Sequence, residues 1–258
     1  MRKLLALLAL SILSGCASVA DAGRLAEVEI VSRASGQKLE TWRHGGRLYV
    51  AGTPGERYAL RLANRSGGRL LTVLSVDGVN AVSGETAAAR QSGYVLGPWQ
   101  SAEIRGWRKS LDDVAAFYFT ALPDAYAART GRPDNVGVIG VAVFREYVEP
   151  RPEPMPYGAL SKQAPAAPRA AEAAASDAVG EAKSKREAER LGTGHGERLN
   201  DPTRYTDFRR AGEAPAEVLT IHYDSRENLM ARGIIPRAPR HSHPQPFPGG
   251  FVPDPGHS

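Results

Sequence analysis

Leu70-Leu71-Thr72-Val73-Leu74-Ser75-Val76 is a seven-residue run that is apolar on both faces. It is bounded by Asn64-Arg65-Ser66-Gly67-Gly68 before it and Asp77-Gly78 after it. A short two-sided run between turn signals reads as the central strand of a β-protein. Working outward, Tyr58, Leu60 and Leu62 alternate with Arg57, Ala59 and Arg61, which predicts a half-buried strand. His44-Gly45-Gly46 separates Leu39-Thr41-Trp42 from Leu48-Tyr49-Val50, the pattern of a hairpin. Ala26 to Ser32 alternates Val28 and Ile30 with Glu27 and Glu29. Val114 to Thr120 and Val136 to Phe144 are two further apolar strands. Short strands at this spacing predict a mainly β fold, an antiparallel β-sandwich of immunoglobulin-like kind, with a closed barrel as the alternative.

Helix is expected only in pieces. Ser110-Leu111-Asp112-Asp113 carries a Ser cap with a carboxylate three residues on, which predicts a single turn. Asp124 to Arg129, stopped by Gly131 and Pro133, predicts a second short helix. The composition changes at Glu149, where Pro-Arg-Pro-Glu-Pro-Met-Pro opens an Ala-, Lys- and Glu-rich stretch. Residues 149–216 therefore read as a linker, with Arg169 to Leu191 as a solvated helix lacking an apolar stripe. Val218 to Tyr223 reads as a strand, and Asp224 with Glu227 as a capping box for a helix ending at Gly233. This island, residues 217–235, is expected to dock on the sandwich of residues 25–148 as an edge strand. Residues 236–258, dense in Pro, Gly and His, read as a disordered tail.

The start of the chain gives an address. Arg2 and Lys3 precede an apolar run from Leu4 to Leu13, too short to span a bilayer as a helix. Leu13-Ser14-Gly15-Cys16 follows directly and resembles a bacterial lipobox, the processing signal of the lipoprotein family. That resemblance covers residues 1–16. It implies that residues 1–15 are a signal peptide and that Cys16 carries a diacylglycerol at the mature N-terminus, anchoring the protein to a membrane. Ala17 rather than Asp after the cysteine implies, in a Gram-negative host, an outer-membrane position facing the periplasm. Ala20-Asp21-Ala22 leaves a second cleavage open, which would release a soluble chain from Gly23. Lipidation blocks the only cysteine and the second cut removes it, so either way the mature chain has no free thiol, and disulfides, thiol catalysis and thiolate metal sites are excluded.

Few residues point to chemistry. Gly192-Thr193-Gly194-His195-Gly196-Glu197-Arg198 has glycines for close backbone approach, but no preceding strand and no phosphate-loop lysine, and reads as a flexible connector, with a ligand cradle or a segment folded onto the domain as the alternatives. His241-x-His243 lacks a third ligand nearby, so no metal and no cofactor is expected. No Gly-x-Ser-x-Gly or His-Glu-x-x-His occurs, so no catalytic residue is assigned. Asp77, Asp112, Asp113 and Asp224 are expected in turns and caps. Tyr94, Trp99 and Trp107 with Arg105, Arg108, Lys109, His195 and Arg198 form the candidate binding surface, an aromatic and basic set suited to glycan or anionic polymer. A net charge of +5 and a pI near 9.4 fit anionic envelope partners. An exported chain is not expected to meet nucleic acid. The reading is an envelope-anchored binding or structural module for a protein or a polymer, with a periplasmic hydrolase as the alternative.

Overall fold

A computed structural model describes residues 24–149 and 190–237. The first six strands are β1 (Ala26–Ser32), β2 (Thr41–His44), β3 (Arg47–Gly52), β4 (Tyr58–Asn64), β5 (Leu70–Val76) and β6 (Val79–Asn80). Next come β7 (Tyr94–Leu96), β8 (Ser101–Ile104), β9 (Gly106–Arg108), β10 (Asp113–Ala121) and β11 (Val138–Arg145). The return through residues 190–237 adds β12 (Leu191–Asn200) and β13 (Glu217–Ser225). Two short helices, α1 (Tyr126–Arg129) and α2 (Arg226–Ala231), complete it. Among the described residues no helix is long and apolar enough to cross a membrane.

The strands form two three-stranded sheets, β1-β4-β8 and β12-β10-β9, and a larger sheet ordered β2-β3-β13-β11-β5-β6, with β7 also on β5. The fold is mainly β and sandwich-like, and no sheet closes into a barrel. Pairing is antiparallel except between β3 and β13, which run parallel. One core lies between the large sheet and the two small ones. Leu70, Leu74, Val76, Ile139, Val141 and Ile221 from the first meet Ile30, Leu60, Phe117 and Phe119 from the others. The opposite face of β5 buries Leu71 and Val73 against Phe144 and Phe208. That second apolar cluster is why the Leu70–Val76 run is apolar on both faces. Farther along the same sheet, Leu229, Ile234 and Ile235 cover Tyr49.

The turns follow their chemistry. Gly45 and Gly46 have φ of 55° and 75°, and Asp77 and Gly78 have 53° and 73°, so both hairpins use two left-handed residues. Gly131, at φ 77°, follows α1 as expected.

Four expectations change. Ser110 caps no helix; its Oγ accepts from the amides of Asp112 and Asp113 in the connection between β9 and β10. α2 is capped by Ser225, which accepts from the Asn228 amide at 3.1 Å, rather than by Asp224. Asp224 instead accepts from the Leu191 amide and the Asn228 side chain, tying β12 to the end of β13. β13 is not an edge strand but lies between β3 and β11. Its backbone pairs with β11 on one side and β3 on the other, while Leu219, Ile221 and Tyr223 point into the core.

The fourth change is the largest. Gly192–Arg198 is not a connector but most of β12, paired along β10 from Ala121↔Leu191 to Asp113↔Asn200. Its glycines work by their missing side chains. A Cβ on Gly192 would stand 2.5 Å from Ala125 Cβ, and one on Gly194 would stand 2.1 Å from the Tyr118 ring. At Gly192 the neighbours are the short Ala125 and Val136 side chains, and at Gly196 the Ala116 carbonyl oxygen 2.8 Å away, so a side chain at either position forces a shift, whereas at Gly194 the Tyr118 ring tip must move. Within the expected 149–216 linker, residues 190–200 therefore belong to the sheets. Residues 201–210 then form an extended strap over the outer face, with the Thr203 amide bonded to Leu111 O and the Tyr147 amide bonded to Arg209 O. The expected helix from 169 onward lies outside the described residues as far as 189, as do the lipobox with Cys16, His241, His243 and the tail from 238.

Candidate functional site

Two constellations stand out. The first is buried. Asp77 Oδ1 accepts from the Tyr223 hydroxyl and from the Gly137 amide at 3.0 Å, while Oδ2 accepts from the Thr193 amide at 2.8 Å. Thr193 Oγ1 lies 2.6 Å from both the Tyr223 and the Tyr58 hydroxyls. The chain of bonds thus joins the β5–β6 turn, β13, β12 and β4. Burial pushes Asp77 up to about 6, against the Tyr223 hydroxyl and the surrounding amides, which pull it down. Burial and then the Asp77 charge hold Tyr58 and Tyr223 well above the usual tyrosine range. An acid beside hydroxyls is the raw material of hydrolysis, but these four residues are sealed from solvent. Their bonds tie four distant segments together, so the cluster serves as a tertiary latch.

The second constellation is open. The strap, the loop before β7 and the β9–β10 connection enclose a groove of about 710 Å³. Arg90, Arg108, Lys109, Arg204 and Arg210 line it, and no Asp or Glu does. Among the described residues, Arg90 and Arg204 make no ion pair. Arg108 is bound on its inner side to Asp201, whose backbone oxygen also accepts from it. Its Nε is buried with no hydrogen-bond partner in the described structure. Arg210 donates to Gln91 O at 2.7 Å and lies over the Phe144 ring. Partial burial and the Arg198 charge lower the Lys109 ammonium. A second concavity of about 630 Å³ lies along the same strap and shares Val95, Thr203, Arg204 and Thr206 with the groove.

The structure divides the candidate surface read from the sequence. Tyr94, Arg108 and Lys109 line the groove together. Burial raises the Tyr94 hydroxyl beside the Arg108 guanidinium. Lys109 also stands 5.3 Å over the Tyr126 ring and leads toward His195 and Arg198 on β12. There, burial and then Lys109, Arg129 and Arg198 lower the His195 imidazole. Trp107 is a correction: it is fully buried, edge-on to Phe117 at 4.8 Å, so it supports the core rather than a ligand. Arg105 turns away to Asp201 and Asn200 O, and lines a separate small concavity with Arg33 and Arg57. Trp99 is 69% exposed but does not line the groove.

Sequence reasoning missed Arg90, Arg204, Tyr205 and Arg210. The signal available was Arg204-Tyr205-Thr206-Asp207-Phe208-Arg209-Arg210, a basic and aromatic stretch set inside text that reads as linker. Among the described residues no three His, Cys, Asp or Glu converge as metal ligands. Compared with protein-family models, with curated proteins and with solved structures, the chain matches none.

Proposed function

We propose that the chain is an envelope lipoprotein, anchored through Cys16, whose β-domain is a binding module for an anionic partner. The observation that carries this is the groove lined by five cationic residues and no Asp or Glu, with Arg90 and Arg204 making no ion pair among the described residues. Gathering like charges on one wall costs free energy unless a counter-charge is present for part of the time. The anchor adds the partner's location: a surface polymer or an acidic protein face in the envelope. In a Gram-negative host, the address implied by Ala17 is the outer membrane. A hydrolase is the lesser reading, since the acid and hydroxyl cluster around Asp77 has no opening.

Two measurements test it. Cys16→Ser is expected to move the protein from the membrane fraction to the soluble fraction of the envelope. A wild-type protein already soluble, with Gly23 at its N-terminus, defeats the anchoring half. For the groove, Arg90→Ala with Arg204→Ala is expected to lower affinity for immobilised heparin about tenfold. Each exposed charge contributes up to about 1 kcal/mol, and about 1.4 kcal/mol is a factor of ten. Arg24→Ala with Arg226→Ala, outside the groove, serves as the charge-matched control. Equal losses in both pairs reduce the effect to net charge.

A further inference from the structure

We infer that the groove takes an extended anionic glycan, with the Tyr205 ring against a sugar face and the surrounding cations on its acidic groups. This rests on the anion-binding reading above and names its ligand class.

Three features point to a sugar chain rather than a compact anion. The first is length. The groove and its neighbour meet at Thr203, Arg204 and Thr206, so the concave surface continues along the strap from Arg90 to Arg69, whose own charge is paired with Glu146. A single phosphate or carboxylate needs only a fraction of that run. The second is Tyr205. Its ring is 89% exposed, yet it lines the groove from a backbone held on both sides. Thr203 N donates to Leu111 O at 2.7 Å, and Arg69 donates to Thr206 Oγ1 at 3.1 Å and Asp207 O at 3.0 Å. An aromatic side chain presented on a tethered strand meets a flat apolar surface at little cost in chain entropy. The carbon-bound face of a sugar ring is such a surface.

The third feature is the free donors. Ser110 Oγ already accepts two amide hydrogens, and Thr206 Oγ1 already accepts from Arg69. Each hydroxyl therefore keeps its own proton to donate into the groove. Ring oxygens and hydroxyls of a glycan accept such bonds, as phosphate oxygens also do, so these donors suit a sugar chain while Tyr205 sets it apart. A simple polyanion such as polyphosphate uses the cations but gains nothing from Tyr205.

The test is a binding series on the full-length protein with polygalacturonate, heparin, neutral dextran and long-chain polyphosphate. At least one of the acidic glycans is expected to bind more tightly than polyphosphate, and dextran about tenfold more weakly than either glycan. Tyr205→Ala is expected to weaken the glycans several-fold, by the order of one aromatic contact, and leave polyphosphate within twofold. Tyr205→Phe should keep the glycan affinity. If polyphosphate binds as tightly as both glycans, or Tyr205→Ala weakens all polyanions alike, the sugar assignment fails while the anion groove stands. If no polyanion binds at near-physiological salt, the proposed function itself fails.

Discussion

Ending the chain at Ala211 is expected to leave no cooperatively folded domain. The cut removes β13, which pairs with β11 from Val138↔His222 to Val143↔Glu217 and with β3 from Ile221↔Leu48 to Ser225↔Gly52. Both neighbours would lose a full edge of hydrogen bonds, and the large sheet would split in its interior. Leu219, Ile221, Leu229 and Ile234 leave with it, at roughly 1.5–3 kcal/mol of burial each. Glu217 leaves too, and its carboxylate accepts from the amides of Arg24 and Leu25 at the start of β1. Such a loss approaches the whole stability of a domain, about 5–15 kcal/mol. Urea unfolding followed by tryptophan fluorescence should show no sigmoidal transition. A cooperative transition near the wild-type midpoint would mean that the chain through Ala211 folds without β13 and α2. Leu229→Ala grades the same claim, with an expected loss of about 2–5 kcal/mol while folding persists.

Asp77→Ala is expected to be the most damaging single substitution away from the apolar core. It removes the acceptor of the buried Thr193 amide and the partly buried Gly137 amide, and leaves the buried Tyr223 hydroxyl with Thr193 Oγ1 alone. Each unsatisfied group costs about 1–3 kcal/mol, so a loss of about 3–5 kcal/mol follows after partial relaxation. Asp77→Asn keeps one acceptor oxygen and tolerates the left-handed backbone, so it should lose less. The same pair of proteins reports the charge. Asp77 is raised to about 6 from 3.8, so the folded state binds its proton more tightly than the unfolded chain does. The resulting stabilisation is fully present below about pH 4 and is lost as pH rises through 6. Acidification from pH 7.5 to 5 should therefore stabilise the wild type relative to Asp77→Asn. A wild type that loses ground to Asp77→Asn over that interval would show a carboxylate better solvated in the fold than in water.

Much of the fold was legible because its cause is local. Alternation in Tyr58 to Leu62, the Gly45-Gly46 and Asp77-Gly78 turns and the Gly131 stop each act over a few residues. The strand over Val218 to Tyr223 was legible for the same reason. Its rank in the sheet was not. An apolar inward face is the same text on an edge strand as on an interior one, and only the partners on both sides distinguish them. In the candidate site, Tyr94, Arg108 and Lys109 were legible as aromatic and basic residues near one another in sequence. Arg204 and Arg210 joined them only through folding, because roughly ninety residues or more separate Lys109 from the strap, while Arg90, four residues before Tyr94, lay among polar text with no pattern to mark it.

The sequence by itself determined a mainly β protein, the positions of most strands and turns, and the lipobox resemblance at Cys16. Periodicity, turn chemistry and short motifs carry that information within windows of a few residues. Tertiary structure alone decided that Gly192, Gly194 and Gly196 belong to a strand, since a glycine chosen for close packing looks in sequence like a glycine chosen for flexibility. It alone turned Asp77 from a turn residue into the centre of a buried latch, because its partners Gly137, Thr193 and Tyr223 come from distant segments. It alone assembled a groove without carboxylates, because the sign of a surface depends on which charges the fold brings together and which, like Glu146 on Arg69 and Asp201 on Arg108, it pairs off beside it.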